Sequence, residues 1–176
     1  MRKLSSFQGT NFNFFLVAKM PLWMLFQAIQ SNRLISNRLR VTILKLAGVK
    51  IGKGVVIRSQ IRIHFPWNLE IGDNCWIGEE VWFINHEKIK IGSNVCISQR
   101  SIICSGGHNY RSASLEYSHK PIEIKDGAWV CLDAKVLPGV TIGECSVVSA
   151  GEIARKSVPD YSMLVGGEIR PIDPPK

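Results

Sequence analysis

The sequence predicts an all-β protein: a three-sided parallel β-helix of about five coils, with a helical segment before it and one long loop insertion. A four-residue unit, aliphatic-x-Ile-Gly, recurs along the chain, and its fourth copy has Lys in place of Gly. A unit that recurs about every 20 residues is typical of solenoid proteins. Successive units start 20, 20, 33 and 18 residues apart, so one interval contains an insertion. The units begin at Val49, Leu69, Ile89, Ile122 and Val140.

The aliphatic residues between the units define the shape of one coil. Ile51, Ile57, Ile63 and Leu69 follow one another at intervals of six, and the same interval returns in later units. An α-helix would give a period of 3.6 residues and a half-buried strand a period of two. A period of six instead predicts one inward-pointing aliphatic residue on each of three flat faces. Gly, Asn and Asp would form the corners, where a positive φ is needed.

The repeat divides the 176 residues into three parts. Residues 1–48 form a helical, basic and apolar segment, residues 49–165 form the β-helix with its loop insertion at 104–121, and residues 166–176 form a tail. The composition is 45% hydrophobic and 20% charged, which excludes a disordered, collagen-like or multi-span membrane protein. We therefore expect one packed domain.

The basic residues are concentrated in the first part of the chain. Residues 1–69 contain eleven Lys and Arg and no acid, whereas residues 70–176 contain eleven bases and fourteen acids. The early bases are scattered among aromatic residues rather than aligned on a polar face, so we expect no nucleic-acid partner. The stretch from Pro21 to Leu46 predicts one or two amphipathic helices ending at Gly48. These helices either cap the main domain or contact an anionic membrane surface.

The cysteines and the N-terminus indicate a cytoplasmic protein, which would lie at most at the inner face of the membrane. Lys19 and Pro21 interrupt the early apolar stretch, and no small-x-small cleavage site follows it, so a signal peptide is not expected. The five cysteines form no CxxC pair and are odd in number. We expect them to be reduced thiols.

The insertion carries the candidate chemistry. It contains the run Ser105-Gly106-Gly107-His108-Asn109-Tyr110, in which two glycines precede a histidine. Glycines allow a sharp turn and a close approach of a ligand, and a neutral imidazole accepts a proton near pH 7. From the pattern alone, His108 is either such a base or a solvated loop residue. Cys104 is a candidate acyl carrier, although a buried small residue is the favoured interpretation.

Five stretches of the sequence resemble the hexapeptide-repeat acyltransferases, and among them the colanic-acid-biosynthesis acetyltransferases. These stretches cover nearly the whole chain, and SGGHNY is the most specific motif within them. The resemblance implies a left-handed β-helix, a homotrimer with sites between neighbouring subunits, and acetyl-CoA-dependent O-acetylation of a sugar hydroxyl in exopolysaccharide or glycan biosynthesis. The five stretches are PLWMLFQAIQ, KLAGVKIGKGVVIR, FPWNLEIGDNCWIGEEV, SQRSIICSGGHNY and KVLPGVTIGECSVVSAG.

The resemblance also implies roles for individual residues. His108 aligns with the general base of the family. Asn109 stands where relatives often have Asp, and Glu168 where they commonly have Pro. The cofactor-binding residues implied are Trp129 beside the thioester, Ala150 along the cofactor, and Lys156 and Arg170 at its phosphates; those implied for the acceptor are Asn109 and Tyr110.

There are three alternatives to a sugar O-acetyltransferase. Some β-helix proteins resemble carbonic anhydrases and bind zinc through three histidines. Here His64, His86 and His108 lie 15, 17 and 19 residues after the starts of their units, which predicts that they do not form one column, and no metal is expected. A scaffold without activity gives no reason for a Gly-Gly-His loop at the break in the repeat. An acetyltransferase acting on another small hydroxyl or amine acceptor remains an alternative.

Overall fold

The computed structural model describes Met24, Gln27 and residues 32–174. Its helix α1 spans Asn37–Leu46, and the Ser36 side chain accepts a hydrogen bond from the Leu39 backbone N–H, which caps the first turn. Of the helical stretch predicted from Pro21 to Leu46, the residues up to 31, except Met24 and Gln27, lie outside the described part of the chain. None of the helices that the structure describes is long and apolar enough to span a membrane.

Seventeen short strands form three sheets, one on each side of a prism. The chain visits sheets A, B and C in turn within every coil. Sheet A contains β1 (Lys50–Ile51), β4 (Leu69–Ile71), β7 (Ile89–Ile91), β10 (Ile122–Ile124) and β13 (Thr141–Ile142). Sheet B contains β2 (Val56–Ile57), β5 (Trp76–Ile77), β8 (Cys96–Ile97), β11 (Trp129–Val130), β14 (Val147–Val148), β16 (Ser162–Val165) and β17 (Glu168–Pro171). Sheet C contains β3 (Arg62–Ile63), β6 (Trp82–Ile84), β9 (Ile102–Cys104), β12 (Lys135–Val136) and β15 (Ile153–Ala154).

Equivalent residues of successive coils lie directly above one another. Ile51 pairs with Ile71, Ile71 with Ile91, and Ile91 with Ile124, all in parallel strands. The structure thus has five complete coils, and β16 begins a sixth. The predicted parallel β-helix is confirmed. The last strand, β17, pairs antiparallel with β16, so part of the expected tail belongs to sheet B.

The inward-pointing aliphatic residues fill the prism from end to end. Phe83, Ile97 and Ile124 are completely buried, as are most residues at equivalent positions in other coils. At the corners the backbones of successive coils approach closely. A Cβ on Gly72 would lie 2.6 Å from the carbonyl of Gly92 in the next coil, so a side chain does not fit there.

Helix α1 closes the N-terminal end of the prism. Leu44 is fully buried against the first coil, and the buried Arg40 guanidinium donates hydrogen bonds to the carbonyls of Ile57 and Asn32. Burial lowers the pKa of Arg40, and the charge of Arg58 lowers it further. This part of the N-terminal segment is therefore a packed cap of the β-helix.

The corners between sheet C and sheet A differ from the other corners because they vary in length. The first contains a 3-10 helix, Pro66–Asn68, and the third contains the long insertion between β9 and β10. Next to these, the buried Asn85 accepts hydrogen bonds from the N–H groups of His64 and Phe65 and donates one to the Phe65 carbonyl. Asn85 therefore ties the first two of these corners together.

Replacing Asn85 with Leu is expected to destabilise the protein by about 2 to 4 kcal/mol, because it leaves buried backbone groups of Phe65 without partners. Chemical denaturation measures the change. The control is Gln99→Leu, an exposed corner residue, for which we expect a change of about 0.5 kcal/mol or less. Equal effects of the two substitutions would show that Asn85 does not hold this corner.

Candidate active site

The insertion is an ordered loop whose two sides are joined by backbone hydrogen bonds. His108 and Tyr117 form an antiparallel bridge, the Asn109 N–H donates to the Glu116 carbonyl at 2.7 Å, and the Ser118 N–H donates to the Gly107 carbonyl at 2.8 Å. The loop is thus a distorted hairpin that leaves the prism between sheets C and A. Its sequence position was predicted, and its internal pairing was not.

The His108 ring is oriented by the backbone of its own loop. Its Nδ1 lies 2.8 Å from the Leu115 carbonyl oxygen, which only accepts hydrogen bonds. In the neutral ring, therefore, Nδ1 carries the proton and Nε2 carries the lone pair. His108 is exposed, so a ligand has access to it. An exposed, oriented imidazole of this tautomer has the properties of a general base.

The glycines before His108 are required by close packing at the base of the loop. A Cβ on Gly106 would lie 2.7 Å from Cδ2 of His86, and a Cβ on Gly107 would lie 3.0 Å from the Ser118 carbonyl oxygen. A side chain at either position would displace the loop from the corner. The Gly-Gly pair thus fixes where His108 stands.

The histidines lie along the corner between sheets C and A, but the three whose offsets were compared do not follow one another directly. The His64 and His86 ring centroids are 5.5 Å apart, and His86 stacks on His119 at 4.7 Å. Tyr117 continues the row, at 4.9 Å from both His119 and His108. His64 and His86 are neighbours in spite of their different offsets, because residue counts do not fix side-chain positions in corners of unequal length, whereas His119 and Tyr117 stand between His86 and His108. We call this set the histidine row: His64, His86, His119, Tyr117 and His108.

The surroundings of His64, His86 and His119 favour the neutral forms of these three rings. Burial lowers the pKa of His64 and, with neighbouring histidines contributing, that of His86. Burial also lowers the pKa of His119. Within residues 24, 27 and 32–174, no group of three or more His, Cys, Asp or Glu side chains is arranged to hold a metal ion. The row is therefore a packed stack of aromatic rings.

Cys104 does not have the environment of a nucleophile. Its thiol donates a hydrogen bond to the Gly106 carbonyl at 3.2 Å, and burial raises its pKa. A thiol held in its protonated form is a poor nucleophile. All five cysteines of the chain are free.

Trp129 lies on the outer face of sheet B. Its side chain is 48% exposed, and its indole N–H donates to the Ser98 hydroxyl at 2.9 Å. The register of the sheet places Val147, Met163 and Arg170 in a row above it. Trp129 and Arg170 therefore lie on the same side of the prism, separated by about 14 Å along its axis, or three strand spacings.

Ala150 and Lys156 are both exposed, and they lie at different corners. Ala150 follows β14 at the corner between sheets B and C, and Lys156 follows β15 at the corner between sheets C and A. The Arg170 guanidinium forms an ion pair with Glu168 at 2.9 Å, so an anionic ligand would compete with that carboxylate.

Asn109 and Tyr110 stand at the tip of the loop beside His108. The Asn109 side-chain oxygen accepts a hydrogen bond from the Arg111 N–H at 3.1 Å, which stabilises the turn. Tyr110 is 63% exposed, with the Arg111 guanidinium 5.4 Å from the centre of its ring. Tyr110 thus presents an open aromatic face, while Asn109 shapes the loop.

One chain places the predicted residues in two groups on different sides of the prism. The loop of residues 105–121, called the catalytic loop for its candidate base His108, lies with Lys156 at the corner between sheets C and A, whereas Trp129 and Arg170 lie on sheet B. Sequence reasoning did not assign Tyr117 and Ser98, which contact the predicted residues His108 and Trp129, or His119, which contacts Gly107 directly before His108. Their only signal in the sequence is proximity to the loop or to a repeat position.

Comparison with known proteins identifies several acetyltransferases as relatives. No family profile matches the chain. It is 39% identical over 143 residues to the protein named colanic acid biosynthesis acetyltransferase WcaF of Escherichia coli, covering 80% of this chain and 79% of that protein. It is 27% identical to galactoside O-acetyltransferase of the same organism over 137 residues, covering 76% and 67% of the two chains.

Solved structures with the same fold are also hexapeptide-repeat acetyltransferases. The Vibrio cholerae acetyltransferase VCA0836, complexed with acetyl coenzyme A, superposes with a TM-score of 0.84 at 22% identity, covering 93% of this chain and 90% of that one. A maltose O-acetyltransferase from Clostridium difficile gives a TM-score of 0.78 at 24% identity, covering 92% and 90%. By its sequence similarity to WcaF and by its fold, the chain belongs to the hexapeptide-repeat acetyltransferases.

Proposed function

We propose that the protein transfers an acetyl group from acetyl-CoA to a sugar hydroxyl in the biosynthesis of an exopolysaccharide or similar glycan. The observation that carries the proposal is the His108 ring, oriented through Nδ1 by Leu115 at the tip of an exposed loop. The similarity to WcaF and to galactoside O-acetyltransferase supports a sugar acceptor.

His108 would act first as a base and then as an acid. Its Nε2 takes the proton of the sugar hydroxyl while the oxygen attacks the thioester carbonyl carbon. The tetrahedral intermediate collapses as the carbon–sulfur bond breaks, and the imidazolium returns the proton to the leaving thiolate. The products are the sugar acetate and the free thiol of CoA, and no acyl-enzyme forms.

The outer face of sheet B would bind the cofactor. Trp129 offers an exposed aromatic surface, and its indole N–H donates a hydrogen bond to the Ser98 hydroxyl. The residues that follow it across sheet B form a row that ends at Arg170. An extended ligand lying along this row would place its thioester end near Trp129 and an anionic end near Arg170, with Ala150 at the neighbouring corner. Lys156 lies on the same side of the prism as the catalytic loop, so it would provide a second phosphate contact from a neighbouring subunit.

We propose a homotrimer in which the catalytic loop of one subunit meets sheet B of the next. The outer face of sheet A is covered by alternating charges, including the pairs Lys50–Glu70 and Lys90–Glu123. Sheet B instead exposes Trp76 and Trp129, at 42% and 48%. An apolar outer face between charged surroundings is typical of a protein interface. A rotation-symmetric assembly would bring the two groups of site residues together.

Replacing His108 with Ala is expected to lower turnover by about 10²- to 10⁴-fold, the usual contribution of a positioned base. Wild-type turnover should fall on acidification, since only the neutral ring accepts a proton. Release of CoA thiol, followed with a panel of sugars and nucleotide sugars, measures both effects.

The control for this experiment is His64→Phe, which keeps a ring in the histidine row but lies far from the catalytic loop in sequence. We expect this variant to retain most activity. If His108→Ala keeps most of its acetyl transfer, or if His64→Phe loses as much, His108 is not the base.

We further propose a cytoplasmic enzyme that contacts anionic membrane through its N-terminal segment, close to a lipid-linked acceptor. Leu39 and Leu46 lie seven residues apart on the outer side of α1 and are 49% and 76% exposed. Arg38 and Lys45 are exposed on the same helix. An apolar stripe with flanking bases is typical of helices that lie on a membrane surface.

Flotation with vesicles of anionic and of neutral lipid tests the membrane contact. Binding should require anionic lipid and weaken with added salt, since screening reduces the attraction of the bases. Replacement of both Leu39 and Leu46 with Ser should reduce binding while leaving acetyl transfer to a soluble sugar unchanged. If the protein does not float with anionic vesicles at low salt, the helix serves only to cap the prism.

A further inference from the structure

We propose that His119 is a positioning residue for the catalytic loop, which it holds through a hydrogen bond to the Gly107 backbone. Its effect on the reaction rate rests on the proposed function, whereas its effect on the loop does not. Nothing in the sequence motif that surrounds His108 includes His119, which lies eleven residues later on the returning side of the loop.

The neck of the loop is joined by three hydrogen bonds, and one of them comes from a side chain. The Ser118 N–H donates to the Gly107 carbonyl at 2.8 Å, and the Lys120 N–H donates to the Ser105 carbonyl at 3.0 Å. Between these two, the Gly107 N–H donates to Nδ1 of His119 at 3.2 Å. His119 thus completes the pairing at the residue directly before the general base.

The His119 ring also supports the loop by packing. One side stacks on His86, with the two planes inclined by 17°, and Tyr117 lies 4.9 Å away. Tyr117 in turn contacts the His108 ring at 4.9 Å. The ring of His119 is therefore held by the prism through His86, and it contacts the base through a single intervening side chain.

The hydrogen bond requires a neutral His119 ring. Because Nδ1 accepts a hydrogen bond from the Gly107 N–H, the ring hydrogen must lie on Nε2. That atom is buried and has no hydrogen-bond partner among the residues that the structure describes. A second proton on the ring would convert Nδ1 to a donor, which would break the bond to Gly107.

The surroundings of His119 keep the ring neutral. Burial lowers its pKa, the Glu87 carboxylate acts in the opposite direction, and His108 adds to the lowering. His86 and Tyr117 pack against the ring, and a neutral His86 places no charge beside it. Protonation of His119 at acidic pH would therefore release the loop from this hydrogen bond.

Two substitutions separate the hydrogen bond from the ring packing. His119→Phe keeps an aromatic ring but has no acceptor, whereas His119→Asn provides Oδ1 at the position of Nδ1 but has no ring. We expect His119→Phe to lower kcat by about tenfold, a loss equivalent to about 1.4 kcal/mol, as for one hydrogen bond. The KM for acetyl-CoA should stay within about twofold because His119 contacts none of the residues proposed to bind the cofactor. His119→Asn should retain most of kcat.

Amide hydrogen exchange at Gly107, measured by NMR, gives a readout that does not depend on activity. Exchange should be faster by about tenfold in His119→Phe and near the wild-type rate in His119→Asn, since the bond opens without unfolding the prism. The amides of Ile97 and Ile103 in the core serve as the control and should be unchanged. In the wild type, the Gly107 amide resonance should shift as His119 is protonated.

The outcomes distinguish this inference from the proposed function. The positioning role would be overturned by either of two results. One is an unchanged rate of Gly107 amide exchange in His119→Phe, and the other is a wild-type Gly107 amide resonance that does not shift when His119 is protonated. If His119→Phe fails to fold, the wild-type titration still decides. If Gly107 behaves as expected but the wild type transfers no acetyl group to any sugar, the proposed function is wrong and the positioning role of His119 is correct.

Discussion

The structure depends on one packing constraint: each side of the prism admits aliphatic side chains only at fixed positions of each coil, directly above those of the coil before. Ile51, Ile71, Ile91 and Ile124 follow one another in register, and the core residues around them are almost completely buried. A shift of one residue in any coil would turn an aliphatic residue outward and a polar one inward. Extra residues can therefore be accommodated only at corners. The catalytic loop leaves the prism at one of these corners.

The same constraint explains how an exposed loop holds a histidine in a fixed orientation. The corner beneath the loop is rigid because it belongs to stacked coils, and it presents the histidine row as a platform. His64, His86 and His119 all have lowered pKa values, chiefly through burial. The unfolded chain thus binds protons more readily than the folded one below the ordinary histidine value of about 6.5, and stability contributed by the row declines as the pH falls from there toward the folded-state values.

The fold could be predicted almost completely from the sequence because a period of six residues has few structural solutions. The insertion and His108 could also be predicted, since a break in a regular repeat is visible without coordinates. The contacts of His119 could not, because the ring meets Gly107 only after the loop has folded back on itself. The edge-to-face contact of His64 with His86 was missed for a related reason: the side chains meet across corners of unequal length, where sequence offsets do not predict contacts. The separation of His108 from Trp129 follows from the order of the three sheets, and it became apparent only in the structure.

The central claim is that the active site is assembled from the catalytic loop of one subunit and sheet B of its neighbour. The most direct test mixes two impaired variants, His108→Ala and Trp129→Ala, by unfolding them together and refolding. Each His108→Ala subunit still offers Trp129, and each Trp129→Ala subunit still offers His108. In a randomly mixed trimer with shared sites, about a quarter of the sites combine both intact residues, so acetyl transfer should return to about a quarter of the wild-type rate. Refolding each variant alone gives the baseline. Activity of the mixture that stays at that baseline would contradict the account, because it would mean that both residues act within one chain or that the subunits do not share a site.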